Sequence, residues 1–172
     1  VREDLEKMDA VERAPLKDDF AGNTILTMPP PSSGGIALLE TLNILAAYER
    51  DHPQQQLQSG MPHQPAAVHL VAEALKHACA DRAELLGDAD FVSVPVERLT
   101  SPQYAEQLAD KIDMSRTHPP EAYGRFLGSN DAGTSHFCVL DAAGNAVSCT
   151  ETINTPFGSL VVEPKYGIVL NN

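Results

Sequence analysis

The run Thr134-Ser135-His136-Phe137-Cys138-Val139-Leu140-Asp141, followed by Ala142-Ala143-Gly144-Asn145-Ala146-Val147, constrains this chain more than any other stretch. It predicts a buried strand headed by a threonine, a tight turn and a returning strand. A threonine at the head of such a strand becomes an N-terminal nucleophile if the bond from Gly133 is cut, so the hairpin is also a candidate site. Strands are expected at Thr134–Leu140, at Ala146–Asn154 and, less cleanly, at Leu160–Leu170.

Cys138 and Cys149 each lie five residues from the Ala143-Gly144 turn. A simple hairpin would set them face to face, as a disulfide or, because bridge geometry is demanding, as two buried thiols. In that register Thr134 faces Ile153, and strand alternation points Thr152 to the opposite face. A bulge, a twist at the strand end or a different register would be needed to bring Thr152 alongside Thr134. The third cysteine, Cys79, stands apart, and no CxxC pair suggests a zinc ribbon.

Upstream the pattern is mainly helical. A short charged helix is expected over Arg2–Met8, then strands over Ala10–Leu16 and Thr24–Met28 around a turn at Asp19–Asn23. Pro29-Pro30-Pro31-Ser32-Ser33-Gly34-Gly35 is a corner before a helix over Ile36–Arg50, whose apolar side carries Leu39, Leu42, Leu45 and Ala46. The Ser-Ser-Gly-Gly part could cradle an anion, but a corner that seats the helix is the simpler reading. Asp51–Pro65 reads as a loop. A second helix is expected over Ala66–Leu86, with Val68, Val71, Ala72, Leu75, Ala78 and Cys79 on its packed side. Ser101 as N-cap and Pro102 at the first position open a third helix, running to Ile112. Asp113–Gly133, with Pro119-Pro120 and several glycines, reads as a mobile surface connector. His69, Glu73 and His77 recur along one helical face, a spacing that fits either a metal site or a solvated or packed face; nothing extends the set, so no metal or other cofactor is expected.

The 172 residues suit one domain with a real core, and the formal charge of −12 argues against nucleic acid or an anionic membrane as a partner. No apolar run is long enough to span a membrane. The chain opens on Val1 and stops on the apolar Ile168-Val169-Leu170-Asn171-Asn172, so both ends are expected to be cuts through a longer protein.

Three segments, in order and spacing, carry a resemblance that covers nearly the whole chain. They are Met28–Gly35; Ala72-Glu73-Ala74-Leu75-Lys76 running to Asp81-Arg82 and Leu86-Gly87-Asp88; and Thr134–Asp141 with Gly144–Val147 and Thr152-Ile153-Asn154-Thr155. On these the chain resembles the gamma-glutamyltranspeptidase family of N-terminal-nucleophile hydrolases. The resemblance implies an α/β (α+β) fold, part of a four-layer αββα sandwich. It implies a precursor that cuts itself between Gly133 and Thr134, leaving 1–133 as the end of a large subunit and 134–172 as the start of a small one.

The resemblance also assigns roles. Thr134 is the nucleophile toward glutathione or another γ-glutamyl compound, Thr152 the second threonine that hydrogen-bonds it, and Asn154 a contact to the substrate's glutamyl group. Ser135 offers a neighbouring hydroxyl without the freed amine. Family members are exported to the periplasm, secreted or membrane-tethered. The family's arginine clamp, acidic amine contact and oxyanion donors fall outside these residues, so the chain alone is expected to be inactive, uncut and prone to self-association through open strand edges. A related acylase acting on a glutaryl β-lactam or poly-γ-glutamate, and a non-catalytic scaffold relative, are the alternatives.

Overall fold

A computed structural model describes residues 3, 11–53, 64–124, 134–152 and 160–169; at 134–136, 151 and 152 it describes the backbone alone. The chain divides into two compact units, 1–126 and 127–172. The expected N-terminal helix, apart from Glu3, and residues 54–63 of the expected loop lie outside the described residues.

The first unit opens with a hairpin, β1 (Leu16–Phe20) and β2 (Asn23–Thr27). Its register pairs Phe20 with Asn23, leaving Ala21-Gly22 as a two-residue turn with φ of 51° and 78°. Positive φ at both central residues matches the twist of a hairpin. The first strand therefore lies later than the apolar pattern of Ala10–Leu16 suggests. A turn this tight needs the strand directly before it, even though that strand carries Lys17, Asp18 and Asp19.

Helix α1 (Gly34–Asp51) follows the proline-rich corner, where Ser32 N–H bonds the Pro29 carbonyl and the Pro30–Pro31 bond is cis. Gly35 is required here, because a Cβ would sit 2.0 Å from the Met28 carbonyl oxygen. Ser33 does not cap the helix with its side chain; its Oγ accepts from Arg82 Nε at 2.8 Å. The segment thus works as a corner that brings β2, α1 and α2 together.

Helix α2 (Pro65–Leu85), the single turn α3 (Val96–Leu99) and α4 (Pro102–Ala109) complete the unit. Ser101 caps α4 as the sequence predicts, accepting from Tyr104 N–H, but the regular helix stops at Ala109. Ile44, Leu45, Ala47 and Tyr48 of α1 pack with Leu70 and Ala74 of α2 and Ala105, Leu108 and Ala109 of α4. Asn43 ties these helices to their neighbours by donating to Asp18 Oδ2 and to the Thr100 carbonyl.

Both long helices bury a face that only partly matches their apolar spacing: Leu39 and Leu45 of α1 and Ala78 of α2 are inside as expected, and Val71 packs against the core. Ala46 is exposed and Leu42 only half-buried in α1, whereas Ile44 and Tyr48 are inside. In α2 the buried residues include Glu73 and His77, while Val68, Leu75 and Cys79 face solvent. In α2 the difference has a polar cause. Glu73, fully buried, accepts from Lys76 Nζ at 2.6 Å, from Thr117 Oγ1 at 2.8 Å and from the Tyr123 hydroxyl. A buried carboxylate is tolerable only when its oxygens are met in this way. These bonds also tie residues 117–123 to α2, within a stretch that sequence alone reads as a surface connector.

The second unit contains β3 (Thr134–Leu140), β4 (Ala146–Thr152), β5 (Val162–Glu163) and β6 (Ile168–Val169). The last expected strand is thus two short strands in a hairpin. Gly167, at φ 69°, turns the chain, and its N–H bonds the Glu163 carbonyl. All sheets among the described residues are antiparallel pairs, so the chain is of the α+β class.

Candidate active site at the head of the β3–β4 hairpin

Strand β3 starts on Thr134, as its β-branched and aromatic composition predicts. Its pairing with β4 differs from the symmetric one by a single residue. Cys138 stands opposite Ser148, Phe137 opposite Cys149, and Thr134 opposite Thr152. Directly opposed positions share a face and lie about 4.5–5.5 Å apart at Cα. The conflict left by strand alternation therefore disappears without a bulge: the two threonines are cross-strand partners.

The same shift removes the proposed Cys138–Cys149 contact. The two residues now belong to opposite faces of the ribbon, no disulfide joins them, and Cys138 Sγ lies 3.7 Å from Ser148 Oγ. Neither thiol is buried: Cys138 is exposed and Cys149 intermediate. The strand as a whole is not buried among the described residues either, with Phe137, Val139, Leu140 and Val147 all at least half exposed.

A signal for the observed register was present in the sequence. One face collects positions 134, 136, 138, 148, 150 and 152, largely hydroxyl, thiol and imidazole residues. The other collects Phe137, Val139, Val147 and Cys149. The symmetric pairing would set Phe137 against Thr150 and Val139 against Ser148, mixing the two.

The turn is built by Asp141. Its Oδ1 accepts from the N–H groups of Ala143 and Asn145, each at 2.9 Å, and its Oδ2 from Asn145 Nδ2 at 2.7 Å. Backbone bonds from Asp141 N–H to the Asn145 carbonyl and from Gly144 N–H to the Asp141 carbonyl close the loop. Gly144 supplies a φ of 86°. The bonds from Asn145, with those from Ala143 and Gly144, hold the Asp141 carboxyl below the usual carboxylate range. The sequence signal for this turn is an aspartate three residues before Gly-Asn between two strands.

Gly133 and Asn154, the other expected site residues, lie outside the described residues. Ser135 is opposite Glu151 and therefore on the face away from Thr134. No group of three or more His, Cys, Asp or Glu residues placed to hold a metal occurs among the described residues. The His69–Glu73–His77 face is otherwise engaged. His69 Nε2 meets the Asp113 carbonyl, Glu73 is paired as described, and His77 packs edge-on against Tyr123. Burial, with the Lys111 charge nearby, pushes the His77 imidazole toward its neutral form.

Fold and hairpin together define an α+β chain that presents a threonine pair at the open end of a two-stranded ribbon. The gamma-glutamyltranspeptidase family model matches residues 1–172, and the chain belongs to that family. It is 42% identical over 173 residues to the glutathione hydrolase proenzyme of Escherichia coli K12, covering 99% of this chain and 29% of that protein. It is 41% identical over 160 residues to the acylase ACY 1 proenzyme of Pseudomonas sp. strain SE83, covering 93% of this chain and 27% of the relative. Among solved structures it resembles the gamma-glutamyltranspeptidase from Pseudomonas nitroreducens complexed with L-DON. There the TM-score is 0.64 and the identity 35%, over 72% of this chain and 36% of the other. The chain thus spans less than a third of the length of these two curated relatives.

Proposed function

We propose that the protein to which this chain contributes transfers γ-glutamyl groups from glutathione or related compounds to water, amino acids or peptides, with Thr134 as nucleophile. The observation that carries this reading is the direct pairing of Thr134 with Thr152 in a chain matched along its whole length by the family model.

A precursor cut at Gly133–Thr134 gives Thr134 a free α-amino group. Its ordinary pKa of about 8 lets it take the hydroxyl proton near neutral pH. Thr134 Oγ then attacks the γ-amide carbon, the C–N bond breaks, and the amine departs with the transferred proton. The resulting ester is cleaved by water to glutamate or by an amine to a new γ-glutamyl product. Before maturation the same oxygen attacks the Gly133 carbonyl. Thr152, opposite on the same face, hydrogen-bonds the nucleophile, and Asn154 holds the glutamyl group.

Several parts of this reading rest on family membership alone. They are the four-layer αββα sandwich, the large and small subunits meeting at 133/134, export to the periplasm or cell exterior, and the inactivity of these 172 residues by themselves. Self-association of the separate chain through its strand edges is read from the two-stranded sheets and is checked by light scattering.

The test is the full-length precursor, assayed with a γ-glutamyl anilide beside its Thr134→Ala variant. Loss on the order of 10⁴-fold, with no product beginning at residue 134, is expected. Normal cleavage and activity in the variant would end the nucleophile assignment. The similarity to the acylase ACY 1 proenzyme favours a second reading, a glutaryl-type amide as substrate. Side-by-side kcat/KM for a γ-glutamyl and a glutaryl anilide decides between the two.

A further inference from the structure

Glu73 and Glu40 are the most deeply buried carboxyls among the described residues, at 0% and 1% exposure. Their own unit encloses them, and further chain in a longer protein adds cover without removing it. The two are met differently. Glu73 has donors on both oxygens: Lys76 Nζ and Thr117 Oγ1 on Oε1, and the Tyr123 hydroxyl on Oε2. Glu40 has no such set, and its Oε1 is shut away from solvent without a hydrogen-bond partner. The group within hydrogen-bond reach of Glu40 is another acid, the Asp81 carboxyl of α2.

The other elements packed on α1 do not supply the missing donor. From α4, the Tyr104 hydroxyl donates to Asp81 Oδ2 at 2.7 Å. From α3, the Arg98 guanidinium brings the positive charge that acts on Glu40, but it lies over the Tyr104 ring, 4.7 Å from the centroid. From β1, Asp18 is engaged by Asn43. Two carboxyls facing each other in an enclosed site do not both ionise; one keeps a proton and donates it to the other. Asp81 already receives the Tyr104 hydroxyl, and Glu40 receives nothing, so the proton belongs on Glu40. An unpartnered oxygen on a neutral acid is also far less costly than one on a carboxylate.

We propose that Glu40 and Asp81 share one proton as an acid–carboxylate pair, neutral Glu40 donating to Asp81, and that this pair is an alkali-sensitive latch closing α1 on α2. Arg82, the next residue of α2, donates from Nε to Ser33 Oγ at 2.8 Å. Neighbouring residues of α2 thus grip α1 at its start and again about two turns further in. The latch is independent of the catalytic reading.

Opening α1 from α2 returns Glu40 to water, where an ordinary glutamate has lost its proton at neutral pH. The closed state therefore holds the extra proton. The latch is strongest below 4.5 and weakens as pH climbs toward about 9, the value to which burial, then the Asp81 hydrogen bond and charge, raise Glu40. Within that window one proton changes the closed-to-open ratio by up to about tenfold per pH unit.

The experiment is hydrogen exchange on the full-length protein at pH 6 and pH 8, with each rate divided by its intrinsic value. Protection of residues 34–45 and 74–85 is expected to fall about tenfold or more in the parent and to stay level in Glu40→Gln, whose amide donates at every pH. Infrared spectra at pH 7 add a readout that a merely structural contact would not move. The C=O stretch of a protonated carboxyl is expected in the parent and lost in Glu40→Gln. If Glu40→Gln does not fold, Asp81→Asn takes its place: its Oδ1 still accepts from Tyr104, its amide donates to Glu40, and the fall in protection is expected to shrink. An equal fall in parent and variant, or no protonated-carboxyl band that depends on Glu40, overturns the proposal.

Discussion

The helical unit and the β3–β4 hairpin hold their residues in place by different means. In residues 1–126, Ile44 and Ala74 are completely buried and Leu70 nearly so, within a cluster built from three helices. A displaced residue there opens a cavity or meets a neighbour, and both are costly. In the hairpin, Leu140 is 74% exposed within these 172 residues, and what they themselves supply is ladder hydrogen bonds and a turn. Packing specifies a position in three dimensions at once. A two-stranded ladder specifies it only up to a slip along the strand, and the turn removes that remaining freedom.

This contrast can be broken most directly in the core. Ile44→Ala should lower stability by about 3 kcal/mol, because the deleted atoms leave a cavity between α1, α2 and α4. Urea unfolding followed by helical circular dichroism measures it, and a loss below 1 kcal/mol would deny that burial dominates this unit. Tyr123→Phe comes next, at about 2 kcal/mol, since it removes a donor from the buried Glu73 carboxylate. Hydrogen exchange should localise that loss to α2 and residues 113–124, and a loss spread evenly over the unit would argue against a local tie.

A third prediction sets two buried carboxyls against each other. Burial alone would raise Glu73, but hydrogen bonds from Lys76, Tyr123 and Thr117 outweigh it and hold the group at about 2. Glu40 lacks such donors. Burial, then the neighbouring Asp81 carboxyl, push it from 4.5 to about 9. The signs are opposite. The depressed Glu73 contributes stability above its unfolded value, which is lost as pH falls from about 4.5 toward 2. The raised Glu40 is most favourable below 4.5 and costs stability as pH climbs toward 9. Glu40→Gln should therefore leave stability at pH 4 nearly unchanged and raise it at pH 8, by about 1 kcal/mol or more. Unfolding midpoints across that range check the slope; a variant that tracks the parent at both ends would show that Glu40 is ionised in the fold.

The smallest effect belongs to the hairpin. Val139→Ala should change global stability by less than about 0.5 kcal/mol, since the side chain is more than half exposed. A core-sized loss would mean that burial holds this ribbon after all.

Much of this was legible in the chain. The hairpin limits at Thr134–Leu140 and the start of β4 follow from composition and the Gly-Asn turn, and the α4 cap from Ser101-Pro102. Gly35 and the proline-rich corner were legible as a turn, though not as a close approach to Met28. What misled was reading α1 and α2 by apolar spacing. Val68 and Leu75 look like core residues until Glu73 and His77 are seen to be the buried positions of α2. Charged Lys17, Asp18 and Asp19 hid the first strand in the same way, because a polar side chain gives no sign in sequence of the partner that satisfies it.

The sequence by itself determined the family, the segment that bears the candidate nucleophile and most helix and strand limits, because propensities, caps and turn residues act over a few neighbouring positions. Only the tertiary structure decided which helix faces go inside and which residue stands opposite Thr134. Those choices depend on partners distant along the chain: Tyr123 for Glu73, fifty residues away, and Thr152 for Thr134, across the β3–β4 pairing.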